Sequence, residues 1–156
     1  MSQENVEIVR DAAAAFSRGD LDAWFEYVAD DIDYRAAEGA LDDHGPIHGR
    51  DALRAHVQDW LDMFDDFKSE PVEVIDAGED EVIVVTRISG RAKLSGVETD
   101  LTYAALYTFR DGKINRGREY WTRTSSRSRR AVGVGDVAGE RRGRSRMGRR
   151  DQRRRR

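Results

Sequence analysis

The sequence contains no cysteine, which excludes a disulfide framework and any thiolate metal site. It has no apolar run near the ~20 residues of a membrane helix. Its opening, MSQENVEIVR, is too polar for a secretory signal. A cytoplasmic protein with no membrane partner is therefore expected. The histidines, His44, His48 and His56, follow no metal-site spacing. His44 and His48, beside Asp42 and Asp43, read as part of a solvated loop. His56 reads as a half-buried residue flanking a helix stripe. No metal and no cofactor is expected.

The formal net charge of −3 hides a division. Residues 1–123 carry 27 Asp/Glu against 14 Lys/Arg, a net −13, whereas residues 124–156 carry 13 arginines against three acids, a net +10. This asymmetry marks an acidic body and an appended basic tail. The body would repel phosphates, so nucleic acid is a partner only if the tail is functional. The tail is rich in Arg, Gly and Ser, with three valines and one methionine as its sizeable apolar residues. It cannot offset its ordering entropy and is expected to be disordered. Its composition matches translation of GC-rich DNA and points to a shifted frame or displaced stop codon.

Helical spacing over Val6, Val9, Ala13 and Phe16 predicts a first helix, ended at Ser17-Arg18-Gly19. Asp20 can cap a second, short helix bearing Leu21, Trp24, Phe25 and Val28. Ile32 and Tyr34 suggest a short strand, and 36–49 a loop. A third helix places Leu53, Val57, Trp60 and Phe64 on one stripe. The period then becomes two, predicting strands at about 68–76, 81–93, 97–110 and 113–122. Val82-Ile83-Val84-Val85 is apolar on both faces and predicts an interior strand. Asp111-Gly112 is the strongest hairpin signal. Helices followed by a meander make an α+β domain, with a hollow between helices and curved sheet where a ligand would sit.

The segments 4–10, 17–23 and 29–31 are similar to the opening of SnoaL-like proteins of the NTF2-like superfamily. Residues 49–54 resemble the start of that family's third helix, and 109–114 with Arg118-Glu119-Tyr120-Trp121 resemble its closing hairpin. The resemblance covers about 120 residues and implies a domain over 3–122, outside which the tail 124–156 falls. It implies a cone of three N-terminal helices on a strongly curved, mostly antiparallel sheet, and a homodimer through the sheet's outer face.

The family includes polyketide cyclases, ketosteroid isomerases, epoxide hydrolases and dehydratases, so fold does not decide function. The isomerases' tyrosine, base and oxyanion-hole aspartate correspond to Ala12, Ala36 and Ala105 here. The cyclases' aspartate would fall in the stretch 121–125, which has no carboxylate. No acid–base chemistry is therefore expected of the pocket. Inward strand parity gives Tyr34, Tyr103 and Tyr107, the third helix adds Trp60 and Phe64, and the central and last strands supply Arg87 and Arg118, together a candidate ligand-binding set. Tyrosines beside arginine suit a small aromatic or carboxylated molecule. The alternatives are an enzyme of the same fold, of cyclase, hydrolase or dehydratase type, and a structural dimer whose aromatics fill the pocket.

Overall fold

The computed structural model describes residues 2–122, and the expected disordered tail lies outside them. Helices α1 (Ser2–Ser17) and α2 (Leu21–Glu26) precede strands β1 (Val28–Arg35) and β2 (Ile47–His48). Helix α3 (Arg50–Asp62) leads into β3 (Phe64–Gly78), β4 (Glu81–Ala92), β5 (Glu98–Arg110) and β6 (Lys113–Trp121). One curved six-stranded sheet results, in the order β2-β1-β6-β5-β4-β3. The α+β class and three N-terminal helices are as expected.

Local signals account for the joints. Gly19 takes φ +76°, and the Gly19 and Asp20 amides donate to the Phe16 and Ala15 carbonyls. This is the paired-bond helix end that a left-handed glycine permits. Asp20 then caps α2, its carboxylate accepting from the Ala23 amide at 3.1 Å. At Asp111-Gly112 both residues have positive φ, 53° and 74°, the tight turn whose twist matches antiparallel strands.

Three assignments change, and the first is Val28, expected on the second helix but opening β1 because α2 stops at Glu26. Phe64, expected on the third helix, is the first residue of β3, because α3 stops at Asp62. The stretch 36–49 is not all loop, since Ile47 and His48 pair antiparallel with Tyr34 and Asp33 of β1. β4 is interior, between β3 and β5, as its apolar faces predict. β1 runs parallel to β6 and closes the sheet's helix-covered side.

β6 contains the irregularity that matters most. Phe109 pairs with Ile114, but the next pair is Thr108 with Arg116. Asn115 is the extra residue of a bulge, and every position beyond it changes face. From there Gly117 pairs with Tyr107, Arg118 with Leu106 and Glu119 with Ala105.

Val9 of α1 and Leu53 of α3 meet Ile32, Val82, Val84 and Ile114 of the sheet in one buried cluster. Beside it, Phe16 meets Trp24 edge-on at 5.7 Å, and Trp60 meets Phe67 at 4.8 Å. These contacts join α1, α2, α3 and β3.

Gly117 has no side chain for a reason visible in the packing. A Cβ there would lie 2.5 Å from Cδ2 of Tyr34, well inside contact distance. Gly117→Ala is expected to push the Tyr34 ring aside and destabilise the fold by about 1–3 kcal/mol, the usual cost of overpacking. Urea denaturation checks this, and a loss under about 0.5 kcal/mol would show that the ring has room to move.

Candidate functional site

Between the helices and the inner sheet face lies a cavity of about 560 Å³, within the range of small-molecule sites. α1 contributes Val9, Ala12 and Phe16, α3 contributes Val57 and Trp60, and β4 contributes Val84, Thr86 and Ile88. The titratable groups are Tyr34 from β1, Asp42 from the following loop, His56 from α3, Tyr103 and Tyr107 from β5, and Glu119 from β6. Exposed Leu41, Met63, Val97 and Trp121 also line it, and the Trp121 indole donates to the Glu38 carbonyl at 3.0 Å.

Five residues of the expected set line this cavity: Tyr34, Trp60, Phe64, Tyr103 and Tyr107. Arg87 and Arg118 do not. Arg87 is on the outer face of β4, where it forms a two-pronged pair with Asp100 at 2.9 and 2.6 Å. Arg118 is turned outward by the bulge at Asn115 and donates to the Asp33 carboxylate at 2.9 Å, which holds Asp33 below the usual carboxylate range. Among the described residues, no Lys or Arg lines the cavity.

The expectation of a cavity without a carboxylate is also corrected. The alanines at 12, 36 and 105 are buried as expected, yet the bulge that expels Arg118 brings in Glu119. The Tyr34 hydroxyl donates a hydrogen bond to Oε1 of Glu119, and the Ala37 amide donates to the same carboxylate. Surrounded by protein, the carboxyl is pushed from its ordinary 4.5 to about 7. Loss of hydration is the main cause and the nearby Asp42 adds to it, while the Tyr34 and Ala37 bonds and His56 act in the opposite direction.

Burial, with the Glu119 charge, raises the pKa of Tyr34, Tyr103 and Tyr107 above the ordinary phenol value. All three are neutral donors at physiological pH. His56 places Nε2 3.2 Å from Oδ2 of Asp42, with side chains only 14% and 18% exposed. Its hydrogen bond to Asp42 raises the imidazole above its ordinary value, against the opposing effect of burial. His56 is half-buried as expected, but Asp42, read as part of a solvated loop, faces the cavity. Loop placement leaves no periodic signature, so the sequence carried no signal for that contact.

Residues 9–117 match the SnoaL-like domain. The chain belongs to the SnoaL-like family. Its fold neighbours agree with that membership. An NTF2-like protein from Burkholderia xenovorans LB400 is 30% identical, with 76% of this chain and 88% of the other covered at a TM-score of 0.62. An NTF2-like protein from Burkholderia thailandensis E264 is 26% identical over 74% and 88% of the two chains, at a TM-score of 0.69. TerC, co-crystallized with polyporic acid, shares the fold at 21% identity, 76% and 91% coverage and a TM-score of 0.65. No curated protein matches the chain.

The Glu119 environment of this SnoaL-like domain has a thermodynamic signature. The folded protein holds the Glu119 proton more tightly than the unfolded chain, so stability falls as pH rises from about 4.5 to about 7. The gap amounts to roughly 3 kcal/mol at most. Glu119→Gln, which keeps an acceptor for Tyr34, should remove that component. Above pH 7 it should exceed the parent protein in stability by up to about 3 kcal/mol. Denaturant titrations of both proteins from pH 4.5 to 8 check this, and parallel pH slopes would contradict it.

Proposed function

We propose that this SnoaL-like domain is an acid–base enzyme acting on a small, neutral, largely apolar carbonyl compound, with Glu119 transferring the proton. The observation that carries the reading is a carboxylate buried in the lining of an apolar cavity and hydrogen-bonded by Tyr34, where loss of hydration pushes it up to about 7. A base works best when its pKa lies near the working pH. At that strength it removes a proton from carbon only where a neighbouring carbonyl acidifies the C–H bond. The neutral tyrosines are suited to hydrogen-bond the oxygen that gains electron density. A carboxylated ligand was expected because arginines were placed beside the tyrosines. With no Lys or Arg in the lining among the described residues, the two acids there, Asp42 and Glu119, favour a neutral ligand.

TerC, the fold neighbour co-crystallized with polyporic acid, supports the small-molecule half of the proposal. A second reading, binding without turnover, is favoured by the Tyr34 and Ala37 donors that already occupy Glu119. An open cavity of this size disfavours the structural dimer with a filled pocket.

The proposal includes a cytoplasmic homodimer. Its support is the outer face, where Ile75, Ile83 and Leu106 lie side by side across three strands. Such an apolar strip fits a two-fold contact between like surfaces. Sedimentation should give a dimer at micromolar concentration, and a monomer there would remove this part.

Chemistry is tested by hydrogen exchange. In deuterated buffer the protein should speed loss of the α-proton signal of 2-tetralone, with a rate that rises through about pH 7. Glu119→Gln should lower that rate about 10²–10⁴-fold. No exchange above buffer, or exchange unaffected by the substitution, would defeat the enzyme reading.

A further inference from the structure

Beyond Glu119, the cavity holds a second titratable group for which no role has been given. His56 and Asp42 lie on different elements, helix α3 and the loop after β1, and meet at 3.2 Å inside the lining. The contact commits Nε2 and leaves Nδ1 as the ring nitrogen available to a ligand. His56 and Glu119 are close enough for each to favour the charged form of the other. Asp59 is the remaining acid whose charge reaches His56. With no Lys or Arg in the lining, the imidazolium is the cavity's only full positive charge among the described residues.

We propose that His56, oriented by Asp42, is the group that binds and polarises the substrate's carbonyl oxygen while Glu119 removes the adjacent proton. The inference deepens the enzyme reading and rests on it for the identity of the base. The step balances internally. The C–H bond breaks, its proton goes to the Glu119 carboxylate, and its electron pair forms the C=C bond of an enolate. The carbonyl π electrons move onto oxygen, which accepts a hydrogen bond or the proton from the imidazolium. Return of the proton from Glu119 to carbon, at the same or a conjugated position, with any proton on oxygen going back to His56 as the carbonyl re-forms, restores both groups. No oxidant, metal or further reactant enters.

Three features support this assignment. A cation is the strongest neutraliser of charge developing on oxygen, and low dielectric enlarges its effect. Asp42 does for the ring what a carboxylate does for a catalytic imidazole generally: it fixes orientation and favours the cation. Asp42 is thus a positioning residue, acting through His56. The aromatic and aliphatic walls, Phe16, Trp60, Phe64 and Val84, would hold a planar apolar body between these polar groups and the mouth.

The probe is 2-naphthol, whose planar enol oxygen stands for the enolate, with naphthalene as the control that lacks the oxygen. Calorimetric binding to the full chain should be about 10–100-fold weaker for His56→Gln, the usual loss of a charge-assisted hydrogen bond. Asp42→Asn should weaken it in the same direction. Naphthalene should bind all three proteins alike, a result that a merely structural role for His56 would not give. Glu119→Gln should bind 2-naphthol as well as the parent protein or better. Asp42 lies on a loop, so its substitution reads the pair even if the helix variant folds poorly. Equal 2-naphthol affinity for the parent, His56→Gln and Asp42→Asn proteins, or no binding to the parent at millimolar probe, overturns the inference. Oxygen-specific binding through His56 with no tetralone exchange would sustain the His56 assignment and defeat the proton-transfer reading instead.

Discussion

The constraint on which the rest of the site depends is the placing of one carboxylate among tyrosine rings. Taking a carboxylate from water into an apolar cavity is costly unless donors meet it. Here the fold supplies two, the Tyr34 hydroxyl and the Ala37 amide. Both come from β1 and its immediate continuation, so β1 has to run beside β6, as the parallel pair does. Tyr34 lies directly over Gly117, and only a residue without a side chain leaves it that space. The parallel strand pair, the glycine and the tyrosine therefore serve one end: a carboxylate held inside but not fully neutralised.

The same carboxylate shows how much of the site was legible in the sequence. Period-two patterning found the strands, and the parity carried from Ala36 and Ala105 put Tyr34, Tyr103 and Tyr107 on the inner face, where they are. Parity carried along β6 from the Asp111-Gly112 turn puts Arg118 inside, and that is wrong by one residue because of the bulge at Asn115. A bulge inserts one residue without altering composition, so hydrophobic alternation does not mark it. One physical signal was present. Arg116 and Arg118 share a face of β6, and burying two unpaired guanidiniums is costlier than burying one carboxyl that can take a proton. Weighing that cost sends both arginines to the outer face and Glu119 inward. Phe64 is a different kind of miss: it extends the spacing of α3 by one turn, but the helix has already ended at Asp62.

Charge in the molecule is sorted by face. Arg87, Arg91, Arg110 and Arg118 pair with Asp100, Glu98, Asp31 and Asp33 at exposed or half-buried positions. The mostly exposed pairs are worth little individually, and their consequence is more one of exclusion. They keep the strongest cations out of the cavity, so a single imidazole decides how positive the interior is. An arginine inside, permanently charged, would hold Glu119 ionised at every physiological pH and lower its basicity. A histidine gives a milder partner whose own charge depends on Asp42.

This sorting also fixes the direction in which a proton can move. Tyr34, Tyr103 and Tyr107 are all held above the ordinary phenol range by burial, so none competes with Glu119 for negative charge. They can donate hydrogen bonds but not take up the role of base. Glu119 at about 7 is then the group in the cavity that changes between empty and loaded with a proton at small cost, and His56 is the one that changes between cation and neutral. The Glu119 carboxylate and the His56 imidazolium each favour the other's charged form. A neutral guest entering between them meets a base on one side and an acid on the other, whereas a carboxylated guest would add a third negative charge beside Glu119 and Asp42. On the proposed reading, selection for neutral ligands and readiness for proton transfer both follow from one arrangement, set by the residue at which β6 bulges.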